Sequence, residues 1–148
     1  MSRTCAIAAA VLLLVAAPAG LWADLAKAKA EPNLERRARL ALDNAALQLR
    51  LASQADKSGD WAKTKETLAE LGESVDLAYL SLKQTGKNPR NSGQFKNLEI
   101  KARGLLKNLE EFLRTLDFVE REELAPLSEH LRQVHDEVLQ SVMAPKKR

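Results

Sequence analysis

The stretch Leu34–Lys57 constrains this chain most, because apolar side chains cover most of its circumference when it is coiled as a helix. At ~100° per residue, Leu34, Ala38, Ala41, Leu42, Ala45, Leu49 and Ala52 form one stripe. Leu40, Leu47 and Leu51 form a second, with Ala55, Asn44 and Gln48 between the two. Together the stripes span roughly 220°, about twice the arc a surface helix buries. Only a narrow sector, holding Glu35, Arg39, Asp43 and Arg50 among others, is left for water. Either several neighbours of the same chain wrap this helix, or one stripe is a contact with another molecule. The ends are marked: Asn33 is a good N-cap, Pro32 resists helix continuation from upstream, and Gly59 supplies a left-handed stop.

With 148 residues the chain has room for one domain. It is rich in leucine and alanine and poor in aromatic and β-branched residues, which favours helix over sheet. The formal charge is +3, but Arg3 and the last three residues, Lys146-Lys147-Arg148, account for more than all of it. A nucleic-acid binder gathers its basic residues on one face, and the sequence shows no such face. No nucleic-acid partner is expected. The tail at 145–148 offers only a weak contact with an anionic surface.

Residues 1–23 carry a single charge, Arg3, ahead of the apolar run Cys5–Ala17. Ala17-Pro18-Ala19 then offers a small-residue cleavage site before Gly20, the pattern of a secretory signal peptide. The alternative is an uncleaved anchor, since Thr4–Ala23 gives 20 uncharged residues. Cys5 precedes the apolar run, whereas a lipoprotein cysteine would follow it. Without the leader no cysteine remains, so neither a disulfide nor a thiolate metal site can form. An exported protein is expected, periplasmic or secreted, or else held at the membrane by its N-terminus.

Residues 24–32 read as a frayed turn or tether ending at Pro32. A bundle is expected over 33–144. Asp60 caps a second helix, roughly Trp61–Thr85, in which Gly72 marks a close crossing and Gly86 closes the end. A third runs from about Ser92 or Gly93 to Leu116, with Phe95, Leu98, Ala102, Leu105, Leu109, Phe112, Leu116 and Val119 alternating at +3 and +4. Asp117-Phe118-Val119-Glu120 reads as a capping-box variant. Pro126 is then either the first residue of the last helix or a kink within it. Short connections imply an antiparallel four-helix bundle or two stacked helical hairpins, all-α in either case.

Chemistry is sparse. His130 and His135 are five apart and point ~140° from each other on a helix, which does not suit a metal pair. By the same rule, His135 and Asp136 are not expected to share a face. Glu110-Glu111 and Glu120-Arg121-Glu122-Glu123 look like solvated runs rather than a pocket that separates carboxylate pKa values. There is no nucleophile elbow, phosphate loop or zincin motif. No catalytic residue, metal or cofactor is therefore assigned, and the chain is not expected to be an enzyme.

Two resemblances arise from the motifs. The turn Ala52…Gly59-Asp60-Trp61…Leu68 resembles the hinge of a tetratricopeptide hairpin over about one repeat. Thr64 and Leu71 stand where that family has alanine, and the sequence holds no second copy. An export signal followed by four helices also resembles the cytochrome b562-like bundles, which implies haem between a methionine on the first helix and a histidine on the last. Here the first helix has no methionine, and Met143 is the only one beyond the leader. The leading expectation is a non-enzymatic protein-contact or structural module of the cell envelope, with Leu40, Leu47 and Leu51 as the interface, through another protein or self-association. The alternative is a carrier of a small apolar ligand or haem.

Overall fold

Each long helix begins where the sequence supplies a cap. A computed structural model describes residues 23–145 and contains α1 (Ala23–Ala30), α2 (Leu34–Lys57), α3 (Trp61–Gln84), α4 (Gly93–Leu113) and α5 (Phe118–Met143). Residues 1–22, on which the expected signal peptide or anchor falls, and the tail Lys146–Arg148 lie outside the described residues. The side chains of Asn33 and Asp60 accept from the backbone N–H groups of Arg36 and Lys63 at 2.9 and 3.0 Å. Ser92 opens α4 in the same way. At α5 the capping box closes in both directions: Asp117 accepts from Glu120 N–H at 2.9 Å, and Glu120 accepts from Asp117 N–H at 3.4 Å. Gly59 and Gly86 leave α2 and α3 with φ of 73° and 67°, a region where glycine lacks the Cβ penalty.

Three features differ from the sequence reading. Residues 24–32 are not a free tether, because α1 packs on α2 and α3 with Leu25 and Ala28 buried. Arg37 holds the turn by donating from Nε to the Glu31 carbonyl at 2.8 Å. α4 ends at Leu113, not Leu116, because the N–H groups of Thr115 and Leu116 bond to carbonyls three residues back and tighten the chain. The expected seam therefore leaves α4 before Leu116, which is buried in the turn that follows, and Val119 belongs to α5 with its side chain exposed.

Pro126 lies inside one continuous helix, neither starting nor splitting α5. Both Pro126 and Glu122, whose carbonyl loses its helical partner, are solvent-exposed, so water can serve that carbonyl. Pro126→Ala is expected to stabilise the fold by about 1–2 kcal/mol, the helix gain less the entropy proline removes from the unfolded chain. A urea titration monitored by circular dichroism reads the shift in midpoint.

The order of side-chain pairings fixes the topology. Along α2 and α3 the partners run in opposite directions: Asn44 meets Ser74, and Leu51 lies beside Thr67 and Lys63. Between α3 and α5 they run together: Trp61 meets Glu123, Gly72 lies under Leu127, Asp76 meets His130, and Tyr79 meets Glu137. Asp43 with Lys101, and Ser53 with Phe112 and Thr115, make α2 and α4 parallel as well. Of the two bundle architectures, this is two antiparallel hairpins, α2–α3 and α4–α5, stacked in parallel. The short turn Pro89–Asn91 lies in the link that carries the chain from one hairpin to the other. Helix pairs in α-solenoids stack in a related way.

The two joints differ in kind. Within the first hairpin, α2 offers Ala38, Ala41, Ala45 and Ala52 while α3 offers Thr67, Ser74, Ala78 and Ser81, all buried. Small side chains let helix axes approach, and α2–α3 is the most extensive helix contact in the molecule. Between the hairpins, α3 approaches α5 at Gly72, where an added Cβ would lie 3.0 Å from Leu127 Cδ1. α2 and α4 touch about as much as α3 and α5 do, and both contacts are far smaller than that of α2 with α3. That loose joint positions the site.

Candidate functional site

A groove runs between α2 and α4 where the two hairpins meet, with a volume of about 990 Å³. Leu49 and Leu105 form its floor with Phe112, and Ala46 lies open at its edge. The rim carries both signs of charge: Asp43, Asp56 and Glu111 against Arg50 and Lys57. Toward the start of α4 it continues into a smaller hollow beside Leu42 and Gly104, crossed by the Lys101–Asp43 ion pair at 3.2 Å. From Leu42 to Lys57 the groove follows α2 for roughly 22 Å, about four helical turns.

The leucines singled out by sequence lie elsewhere on α2. Leu40, Leu47 and Leu51 are all half-buried, and Leu40 packs onto the core. Leu51 lines a shallow hollow with Ala55, Lys63 and Thr67. None stands among the strongly exposed apolar residues, so the second stripe is partly covered from within the chain. The groove had no sequence signal, because it arises from the offset of two hairpins and not from any one helix. Arg50 and Asp43 read simply as the wet face of α2.

Polar groups between the stripes form a buried network at the α2–α3 seam. Asn44 Nδ2 donates to Ser74 Oγ at 2.9 Å and to Glu70 Oε1 at 3.0 Å, and Gln48 Nε2 donates to Asn44 Oδ1 at 3.3 Å. Gln48 Oε1 finds no donor among the described residues. A one-residue slip between the helices would break the Asn44 bonds to Ser74 and Glu70 and strand a buried amide, so the network holds register at some cost in stability.

The histidines serve helix contacts. His130 is exposed and pairs with Asp76 at 2.7 Å across α3–α5. His135 is largely covered, with Nε2 3.0 Å from Glu99 on α4 and Nδ1 3.3 Å from Asp136. The neighbours His135 and Asp136 therefore do meet, because a short carboxylate can swing back to a ring on the adjacent position. Among the described residues, no three His, Cys, Asp or Glu side chains gather as metal ligands. Glu123 is held below the ordinary carboxylate range mainly by the Lys65 ammonium, with help from the Trp61 N–H. Glu110 is engaged by Arg132 at 2.6 Å. These carboxylates are tied to cations on neighbouring helices.

Tyr79 is the only tyrosine, so its ionisation can be read directly. Partial burial and a hydrogen bond to the Glu137 carboxylate at 3.1 Å raise its pKa. The ultraviolet phenolate band is expected to titrate with a midpoint above the ordinary value of about 10. Glu137→Gln should move that midpoint down. Because the folded pKa is raised, the associated stability is complete below the unfolded pKa and is lost as pH rises through the folded value.

No family model, curated protein or solved structure matches this chain.

Proposed function

We propose that this chain is an exported, non-enzymatic helical module of the cell envelope that acts by protein contact, receiving an amphipathic helix of its partner between α2 and α4. The observation that carries this reading is the groove: a leucine and phenylalanine floor, a rim of mixed charge, and one long side open to water. An amphipathic helix presents an apolar stripe every three or four residues with charges on either side, the complement of that surface. Small-ligand sites usually enclose 70–90% of the ligand, and a trough open along its length cannot. The geometry therefore favours a helical segment over the carrier alternative. A haem reading gains nothing from Met143, which is exposed at the end of α5, or from histidines already engaged by carboxylates. Export rests on the leader sequence alone. No described helix is long and apolar enough to cross a membrane, so an anchored form would depend on the leader being retained.

Two exposed or half-exposed neighbours on α2 separate the candidate surfaces. Ala46→Arg puts a long cation into the groove without touching the core, while Leu47→Asp disrupts the second stripe. Each variant is used as bait in envelope extract, and a recovered partner is retested in pure form. Loss with Ala46→Arg and retention with Leu47→Asp supports the groove. The opposite pattern moves the interface to Leu40, Leu47 and Leu51. A co-purifying lipid seen by native mass spectrometry, displaced by Ala46→Arg, would establish the carrier function instead.

A further inference from the structure

The parallel stacking of the hairpins sorts charge along the long axis. One end holds the α2–α3 and α4–α5 turns, and there residues 107–123 carry six acidic side chains against three basic ones. The first hairpin's turn, residues 56–66, is balanced at three of each. At the opposite end α2 and α4 begin and α3 and α5 finish. Residues 83–103 there carry six basic side chains and one acidic, and residues 27–39 carry five and two. Lys87 pairs with Glu35, and Arg90 donates to the Ala144 carbonyl at 3.1 Å, which confirms that these segments share one end. Acidic residues of the helix middles, with Asp136 and Glu137 near the close of α5, offset the basic excess and bring the body as a whole close to neutral.

Exposed apolar groups sit at both tips. Phe118 and Val119 at the acidic end and Met143 at the basic end are each 73% exposed, more than any other large apolar side chain described. We infer that copies of this chain associate head to tail, with Phe118 and Val119 and their acidic surround meeting Met143 and the basic end of the next copy. The ends stand ~35 Å apart, several Debye lengths at physiological salt, so they cannot neutralise each other within one molecule. An anionic membrane would satisfy only the basic end, whereas a second copy satisfies both at once. The contact is heterologous, so it leaves a free end of each kind and does not close at two copies. A bundle end is only about 20 Å across, so each contact buries little surface and is weak and salt-sensitive. This inference uses neither the groove nor its helical partner, and the two readings fail separately.

The test uses the natively processed chain and two variants, each blocking one end, that touch only exposed side chains. Phe118→Lys with Glu122→Lys neutralises the acidic end and removes its exposed aromatic ring, and Lys96→Glu with Met143→Glu replaces a cation and the exposed thioether of the basic end by two carboxylates. Unchanged melting curves establish that both variants fold. At low ionic strength, sedimentation equilibrium of the unaltered chain should give a weight-average mass that climbs with concentration past twice the monomer. It should return to the monomer at about 0.5 M salt. Each variant alone should stay monomeric. An equimolar mixture should form a one-to-one pair and stop there, since each variant blocks one end of the growing chain. A mass that stays at one copy overturns the proposal, including when the basic end is found to bind anionic vesicles. So does a dimer that saturates at two copies, or variants that associate as well as the unaltered chain.

Discussion

Leu109→Ala is expected to cost about 3–4 kcal/mol of folding free energy. Leu109 has no exposed surface and belongs to the single apolar cluster that joins both hairpins. Truncation removes the transfer free energy of the lost carbons and leaves a cavity that helices pinned at both ends cannot close. In a chain of this size each kcal/mol moves the melting temperature by about 3–5 °C, so a drop of about 10–15 °C should follow. Leu106, three residues earlier on the same helix and only half-buried, is the control. Leu106→Ala should cost about 1 kcal/mol, since part of its side chain already meets water. Equal losses at the two sites would mean that α4 is rotated from the orientation described.

That contrast is legible in the sequence. The +3, +4 alternation of Phe95, Leu98, Ala102, Leu105 and Leu109 sets the phase of α4, and Asn33, Asp60, Ser92 and Asp117 mark four helix starts by side-chain chemistry that acts over three residues. Local rules of that range can be read from sequence. Longer-range features could not. Ala23–Ala30 forms a packed helix because Ala28 finds a place among neighbours that no local pattern announces. Pro126 stays inside α5 because its orphaned carbonyl faces water, an orientation set by packing. The groove and the charged ends both follow from which faces the hairpins turn to each other. The Leu40, Leu47 and Leu51 stripe was visible, but its partial cover by the chain's own neighbours was not.

Ala45→Leu is expected to cost about 3 kcal/mol or more, while Ala46→Leu, one residue on, should be neutral within ~0.5 kcal/mol. Ala45 has no exposed surface and lies in the middle of the buried arc of α2, flanked by Ala41 and Ala52. Opposite, α3 contributes Ser74, Ala78 and Ser81, so the space between the axes is filled almost to Cβ depth. Three added carbons have nowhere to go there without pushing the helices apart. A shift of that kind would also stretch the Asn44–Ser74 and Asn44–Glu70 hydrogen bonds, and a buried amide without partners adds its own penalty. Ala46 faces the open groove instead, where a leucine replaces alanine at almost equal helix propensity and meets mostly solvent. Thermal denaturation of the two variants side by side makes the comparison, with helix content by circular dichroism confirming the folded baseline. A large loss for Ala46→Leu would mean that α4 already fills the groove, and the site for a partner helix would disappear with it. Loss confined to Ala45→Leu would leave α2 clamped along its alanine line by α3 and free on the face where the partner is proposed to lie.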